Sequence, residues 1–151
     1  MDYDPWHKEM AITADALDAM RQKHLKALAD NLRECAEGLV SIDAYIELRY
    51  QRGWDKNQEY LSVLNNNIEK DLHRGFTGTG PHRADISVFV DGVLAKERLS
   101  RGQQKALVAA LVVAQAKTLI DNAVVPILLV DDLYAELDNN HTSRVCAALA
   151  C

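Results

Sequence analysis

The chain has 151 residues, 48% of them hydrophobic and 26% charged, with a formal net charge of -5. That size and balance suit one soluble globular domain with a real core. They exclude a uniformly basic nucleic-acid glove, so any DNA contact needs a local patch or a partner that supplies the positive field. Cys35, Cys146 and Cys151 are scattered and form no CxxC pair. This argues against a disulfide framework or a zinc site and fits a reduced, cytoplasmic setting. The start carries no basic-then-apolar signal pattern, and the apolar run near residues 124–130 is too short to cross a bilayer.

Residues 9–39 follow helical spacing. Leu17, Met20, His24, Leu28, Leu32, Cys35 and Leu39 recur every three or four positions, while Asp18, Lys26, Asp30 and Arg33 fall elsewhere. A helix of about 30 residues reaches about 45 Å and suggests an arm; a bent core helix or two shorter helices is the alternative. His24 reads as a core or boundary residue, and Trp6 and Trp54 read as packing residues. Residues 45–50 alternate as a half-buried strand, and residues 55–73 carry Leu61, Leu64, Ile68 and Leu72 at helical spacing. Residues 75–82, GFTGTGPH, form a loop, because three glycines and a proline break either pattern.

Ile86, Val88 and Val90 then alternate as a strand. Asp91-Gly92 is a hairpin turn signal, and the return strand is expected over 93–98. A helix is expected from Ser100 to about Asn122, a buried strand over 127–131, and a last helix opening near Asp138. The second half therefore ends in the alternating order of α/β proteins.

Two motifs carry chemistry. In LSRGQQK, residues 99–105, Ser100 is a good N-cap and Gln103 completes a capping box. A well-capped helix is one reading. The other is a phosphate site, because a helix start exposes N–H groups at its positive end, and Gly102 permits close approach. In ILLVDD, residues 127–132, a uniformly apolar strand ends on two carboxylates. Such a pair costs desolvation unless a cation or donors await it. At a strand's carboxyl end one acid commonly binds Mg²⁺ while its neighbour orients or deprotonates a water. A strand exiting into solvent remains the alternative. His73, Arg74, His82 and Arg83 flank the glycine-rich loop, with Lys96, Arg98, Arg101 and Lys105 nearby in sequence. If they converge they make a phosphate-positioning patch for DNA; otherwise they are a solvated mixed-charge surface.

The order of GPHRAD at 80–85, LSRGQQK at 99–105 and DDLYAELD at 131–138 resembles the RecF family of ABC/SMC-like ATPases, as does QRGW at 51–54. The resemblance implies an α/β fold: the signature-helix and Walker B part of an ABC-type head over residues 76–151, joined to a helical arm-like subdomain with one strand over 1–75. It also implies ATP sandwiched between two subunits in an ATP-dependent homodimer. Ser100 and Gly102 would face the γ-phosphate, with Gln103 beside them either at the nucleotide or packing the helix; Asp131 would hold Mg²⁺, Asp132 would be the catalytic acid, and Asp138 would make the D-loop contact. DNA, double-stranded or at a gap junction, is the implied partner, with RecO and RecR, in replication and recombinational repair. No GxxxxGK[ST] phosphate loop occurs in the sequence. The chain is therefore expected to be a piece of a longer ATPase and inactive alone. A non-enzymatic interaction module and another SMC-like head are the alternatives.

Overall fold

A computed structural model of the chain describes residues 3–40, 43–129, 143, 144 and 147. The elements are α1 (Asp4–Leu39), β1 (Ile46–Gln51), α2 (Tyr60–Arg74), a 3₁₀ turn (Pro81–Arg83), β2 (Asp85–Val90), β3 (Val93–Leu94), α3 (Ala95–Arg98) and α4 (Arg101–Asp121). The residues cluster into two compact units, Met1–Lys23 with Arg49–Ser87 and His24–Leu48 with Val88–Cys151. The strands form one sheet in the order β1-β2-β3.

The expected long helix is α1, 36 residues and so about 54 Å along its axis. Its seam differs from the stripe read in the sequence. Ala11, Ala14, Asp18, Leu25, Leu28, Leu32 and Leu39 are buried, whereas Met20 is 69% exposed. With half-buried Arg21 and Cys35 filling the gaps, the spacing is three, four, three, four throughout, a heptad seam. Asp18 therefore sits within the seam. It keeps its place there because Oδ2 accepts a 2.7 Å hydrogen bond from Gln22 Nε2, one turn on.

In the first unit, Ala11 and Ala14 of α1 pack with Trp54 and with Tyr60, Val63 and Leu64 of α2. Trp54 is the packing residue expected, its ring 4.7 Å from that of Tyr60 and covered by the Arg52 guanidinium at 4.1 Å. Trp6 is not: it is 71% exposed. It lies in the first turns of α1, where its neighbours Asp4, Pro5 and Lys8 are solvent-facing as well. Helix α2 starts at Tyr60 rather than at 55, because Asp55 instead closes a side-chain turn, its Oδ1 accepting from Asn57 N at 2.9 Å. It ends on Gly75 at φ 79, a left-handed cap.

In the second unit, Asp91 and Gly92 both have positive φ, 50 and 79. These are the values a two-residue type I′ hairpin demands, and Val90 pairs with Val93 across it. Asp91 Oδ1 also accepts from Tyr45 N at 3.0 Å, and Asp91 N donates to Tyr45 O at 2.9 Å, so the entry of β1 meets the exit of β2. The return strand is only Val93–Leu94, and Ala95–Arg98 wind into α3. Lys, Glu and Arg favour helix over strand there, and Ala95 supplies the buried contact. Helix α4 buries Ala106, Leu107, Ala110, Val113 and Ala114, and its polar edge meets the later half of α1. Asn31 Nδ2 donates to Thr118 Oγ1 and Asp121 Oδ2, both at 3.0 Å. His24 Nε2 bonds Gln115 Oε1 at 2.9 Å, so His24 is the boundary residue expected. Lys117 pairs with Glu34.

The strand expected over 127–131 departs most from the reading. Residues 124–129 adopt no strand, and Val125, Ile127 and Leu129 are 87%, 89% and 94% exposed. A strand needs a neighbour to satisfy its backbone, and the sheet's three strands lie elsewhere. The rest of that strand and the helix expected near Asp138 lie outside the described residues, apart from helical Ser143, Arg144 and Ala147. Among the described residues, no helix is long and apolar enough to cross a membrane.

Candidate functional site

Helix α4 begins as its residue types dictate. Ser100 has extended backbone, φ -63 and ψ 161. Its Oγ accepts from Gln103 N at 3.3 Å, while Gln103 Oε1 accepts from Ser100 N at 3.0 Å. This is the reciprocal capping box. Gln104 completes the junction, its Nε2 donating to Leu99 O at 2.9 Å and Lys96 O at 3.2 Å, so the carbonyls ending α3 are satisfied. Leu99 is buried and anchors the turn from below.

The result is a rigid helix start at an exposed surface. Ser100, Arg101 and Gly102 are exposed, and Gln103 is half-buried. A methyl group added at Gly102 would meet nothing within 4 Å. Gly102 is thus neither a turn glycine nor a packing glycine, and costs its helix up to about 1 kcal/mol relative to alanine. The first N–H groups of a helix lack intrahelical acceptors. With Gln103 N taken by Ser100, those of Arg101 and Gly102 remain for an external anion, next to the positive end of a 21-residue helix. Lys96, Arg98, Arg101 and Lys105 are all exposed around this start, and Arg98 lies 3.9 Å from Asp91.

The structure brings Ser100, Gly102 and Gln103 together in one turn. Asp131, Asp132 and Asp138 lie outside the described residues. Among the described residues no three His, Cys, Asp or Glu side chains form a metal-sized group.

A second constellation escaped the sequence reading. Loop 75–80 is clamped at its base. Gly80 N donates to Gly53 O at 3.0 Å, Tyr60 Oη donates to Thr79 O at 2.9 Å, and Arg21 Nη1 donates to Pro81 O at 2.7 Å. Gly53 and Gly80 have φ 93 and 139, and a methyl on Gly53 would be driven into the carbonyl oxygen of Gly80. Arg21 and Asp18 also act on Tyr50: burial first, and then the Asp18 carboxylate, push its hydroxyl above the usual tyrosine range. Buried Asp18 Oδ1, Tyr50 Oη, Arg52 Nε, Trp54 Nε1 and Thr79 Oγ1 have no hydrogen-bond partner within the described chain. The signal lay in the heptad spacing, which passes through positions 18 and 21.

No protein-family model matches the chain. The solved structures that share its fold include two of the recombination mediator protein RecF in the RecFOR pathway. The one with ATP has a TM-score of 0.77 at 22% identity, over 97% of this chain and 41% of its own. The one described as RecF-ATPrS has a TM-score of 0.72 at 21% identity, over 96% and 43%. The likeness shows a shared α/β fold.

Sequence relatives carry the same name. The DNA replication and repair protein RecF of Pseudomonas aeruginosa (strain LESB58) is 41% identical over 146 residues, 95% of this chain. RecF of Stutzerimonas stutzeri is 38% identical over 146 residues, and that of Pseudomonas syringae pv. tomato 37% over 145. The chain is similar to these RecF proteins over 95% of its own length, and it spans 39% of theirs.

Proposed function

We propose that this chain supplies the signature-helix and Walker B portion of a RecF-type ATPase head that acts in DNA replication and recombinational repair. The observation that carries the reading is the start of α4, a doubly satisfied capping box beside a glycine with open space over it. In this reading Ser100, Gly102 and Gln103 meet the γ-phosphate of an ATP whose phosphate cradle belongs to the opposing subunit. Ser100 Oγ adds a hydroxyl donor, and the free N–H groups at the helix start add charge-assisted bonds to the phosphate oxygens. Asp131 holds Mg²⁺, Asp132 orients or deprotonates the attacking water, and Asp138 contacts the other subunit. ATP binding then favours the closed dimer, because only the closed state makes the γ-phosphate contacts, and hydrolysis removes them. DNA, double-stranded or at a gap junction, is the macromolecule held, with RecO and RecR as partners.

The test is a chimera in which this chain replaces the matching 39% of the P. aeruginosa RecF. Ser100→Arg there is expected to leave nucleotide binding by single subunits intact and to abolish dimerisation on a slowly hydrolysed ATP analogue, measured by light scattering. Asp132→Asn is expected to permit dimerisation and to slow ATP turnover by two to three orders of magnitude, roughly the span of general-base catalysis. Normal dimerisation of the Ser100 variant, or unchanged turnover of the Asp132 variant, removes the corresponding role.

A further inference from the structure

The glycine-rich loop carries a further group of cationic and aromatic side chains. Helix α2 ends on His73 and Arg74, and the 3₁₀ turn beyond the loop carries His82 and Arg83. All four are exposed, as is Phe76 between them. The structure draws them onto one loop. Arg83 lies over the Phe76 ring, Cζ 6.0 Å from its centroid. Arg74 Nη1 lies 3.2 Å from where a Gly78 methyl would be. His82 Nε2 bonds Thr77 O at 2.9 Å. Among the described residues neither Arg74 nor Arg83 forms an ion pair.

Two carboxylates flank these cations and hold the backbone: Asp71 Oδ1 accepts from Gly78 N at 3.0 Å, and Asp85 Oδ1 accepts from Ile86 N at 2.8 Å. Phe76 is 55% exposed and shares a recess of about 340 Å³ with Trp6, which is 71% exposed. Cations beside exposed aromatic rings on a pre-held loop form a platform for single-stranded nucleic acid, the rings taking bases and the guanidiniums taking phosphates. A loop clamped at Gly53, Tyr60 and Arg21 also loses little entropy on binding.

We infer that loop 75–83 is a contact site for single-stranded DNA, in which Arg74 and Arg83 hold successive phosphates and Phe76, with Trp6 beside it, stacks an unpaired base. The inference rests on the DNA-repair reading above and assigns it a surface. It explains why the loop is fixed so firmly while carrying its cationic and aromatic groups outward.

The test uses the 151-residue chain without nucleotide, so that its outcome is independent of the ATP sandwich. A fluorescein-labelled 20-nucleotide single strand and the matching duplex are titrated by anisotropy between 20 and 200 mM salt. The expected result is binding to the single strand that weakens with salt. Arg74→Gln/Arg83→Gln should flatten the slope of log K against log salt by about 1.4, from two phosphates at about 0.7 each on a single strand. Phe76→Ala should weaken single-strand binding by at least about fivefold, with little effect on the duplex. Circular dichroism shows that each variant is folded; all three side chains are exposed, so no loss of fold is expected. Absence of single-strand binding at 20 mM salt overturns the proposal, as does a double variant with unchanged affinity and slope. Tighter binding to duplex with no effect of Phe76→Ala overturns the stacking assignment. Failure here with normal ATP-driven dimerisation of the chimera removes this surface alone; success here with no dimerisation removes the ATP sandwich alone.

Discussion

Gly53 is the position where one methyl group should do most damage, and three separate effects set the size of the loss. Gly53 sits at φ 93, and moving a side-chain-bearing residue into left-handed backbone costs about 1–2 kcal/mol. Its new Cβ would be driven into Gly80 O and would lie 2.9 Å from Ala84 N and 3.0 Å from Arg83 C. All three are backbone atoms that no rotamer change can move, and overpacking of this kind costs about 1–3 kcal/mol. Parting the two segments also breaks the 3.0 Å bond from Gly80 N to Gly53 O, worth about 0.5–1.5 kcal/mol. Gly53→Ala should therefore destabilise the first unit by about 3–5 kcal/mol, a large part of the 5–15 kcal/mol that holds an ordinary domain. Urea unfolding followed by Trp54 fluorescence measures it, since Trp54 is buried beside the substitution. With a slope near 2 kcal/mol/M the midpoint should fall by about 2 M. Gly75→Ala is the control: φ there is 79, but nothing lies within 4 Å, so only the backbone cost of about 1–2 kcal/mol applies. Equal losses in the two variants would refute the steric argument for the Gly53–Gly80 clamp.

Ala123 follows α4 at φ 59, closing it with bonds from Val124 N to Leu119 O at 2.9 Å and from Ala123 N to Ile120 O at 2.8 Å. This is a Schellman cap with the wrong residue for its backbone, so Ala123→Gly should raise stability by about 0.5–1 kcal/mol; a lowered thermal midpoint would count against it. Gly102→Ala should also stabilise, by up to about 1 kcal/mol, yet weaken ATP-driven dimerisation of the chimera; a gain in stability with normal dimerisation would show that no phosphate approaches there. Tyr60 should make the fold sensitive to alkali. Burial first, and then the Asp71 carboxylate, raise its pKa above 10.0, so its stabilising share is complete below about pH 10 and is lost as pH rises through the folded value. Tyr60→Phe should cost about 1 kcal/mol at neutral pH, through loss of the bond to Thr79 O, and should flatten the alkaline decline; an unchanged pH profile would rule Tyr60 out.

Features written in short stretches of sequence were legible. The capping box at Ser100 needs only residues three apart, and the Asp91-Gly92 hairpin needs only two residues that tolerate positive φ. Both appear in the structure as read. Features set by distant partners were not. Asp18 reads as a surface charge because aspartate is rarely buried. Its burial follows from the heptad register of α1 and from Tyr50 and Arg21 beside it. The pairing of Gly53 with Gly80 joins residues 27 positions apart, and each glycine alone reads only as a turn residue. Trp6 failed for the opposite reason: aromatic character suggests burial, but no element of the described chain covers it.

The same distinction separates the two halves of the candidate site. The proposed γ-phosphate contact is built from one helix start, and every part of it that belongs to this chain is local: a hydroxyl, two freed N–H groups and a residue without a side chain. Those properties exist in α4 whether or not a second subunit is present, because the capping box satisfies itself. The apolar run leading to Asp131 has no such independence. Val125, Ile127 and Leu129 are nearly fully exposed, and at about 25 cal/mol per Å² of apolar surface that exposure is a standing drive toward burial against another sheet. Carboxylates at the end of such a run acquire their chemistry only once it is paired, because a solvated acid holds Mg²⁺ weakly and gains nothing as a base from a dry site. The turn proposed to recognise phosphate is therefore preformed in this chain, whereas the metal and water chemistry proposed for Asp131 and Asp132 requires that the apolar run before them be paired.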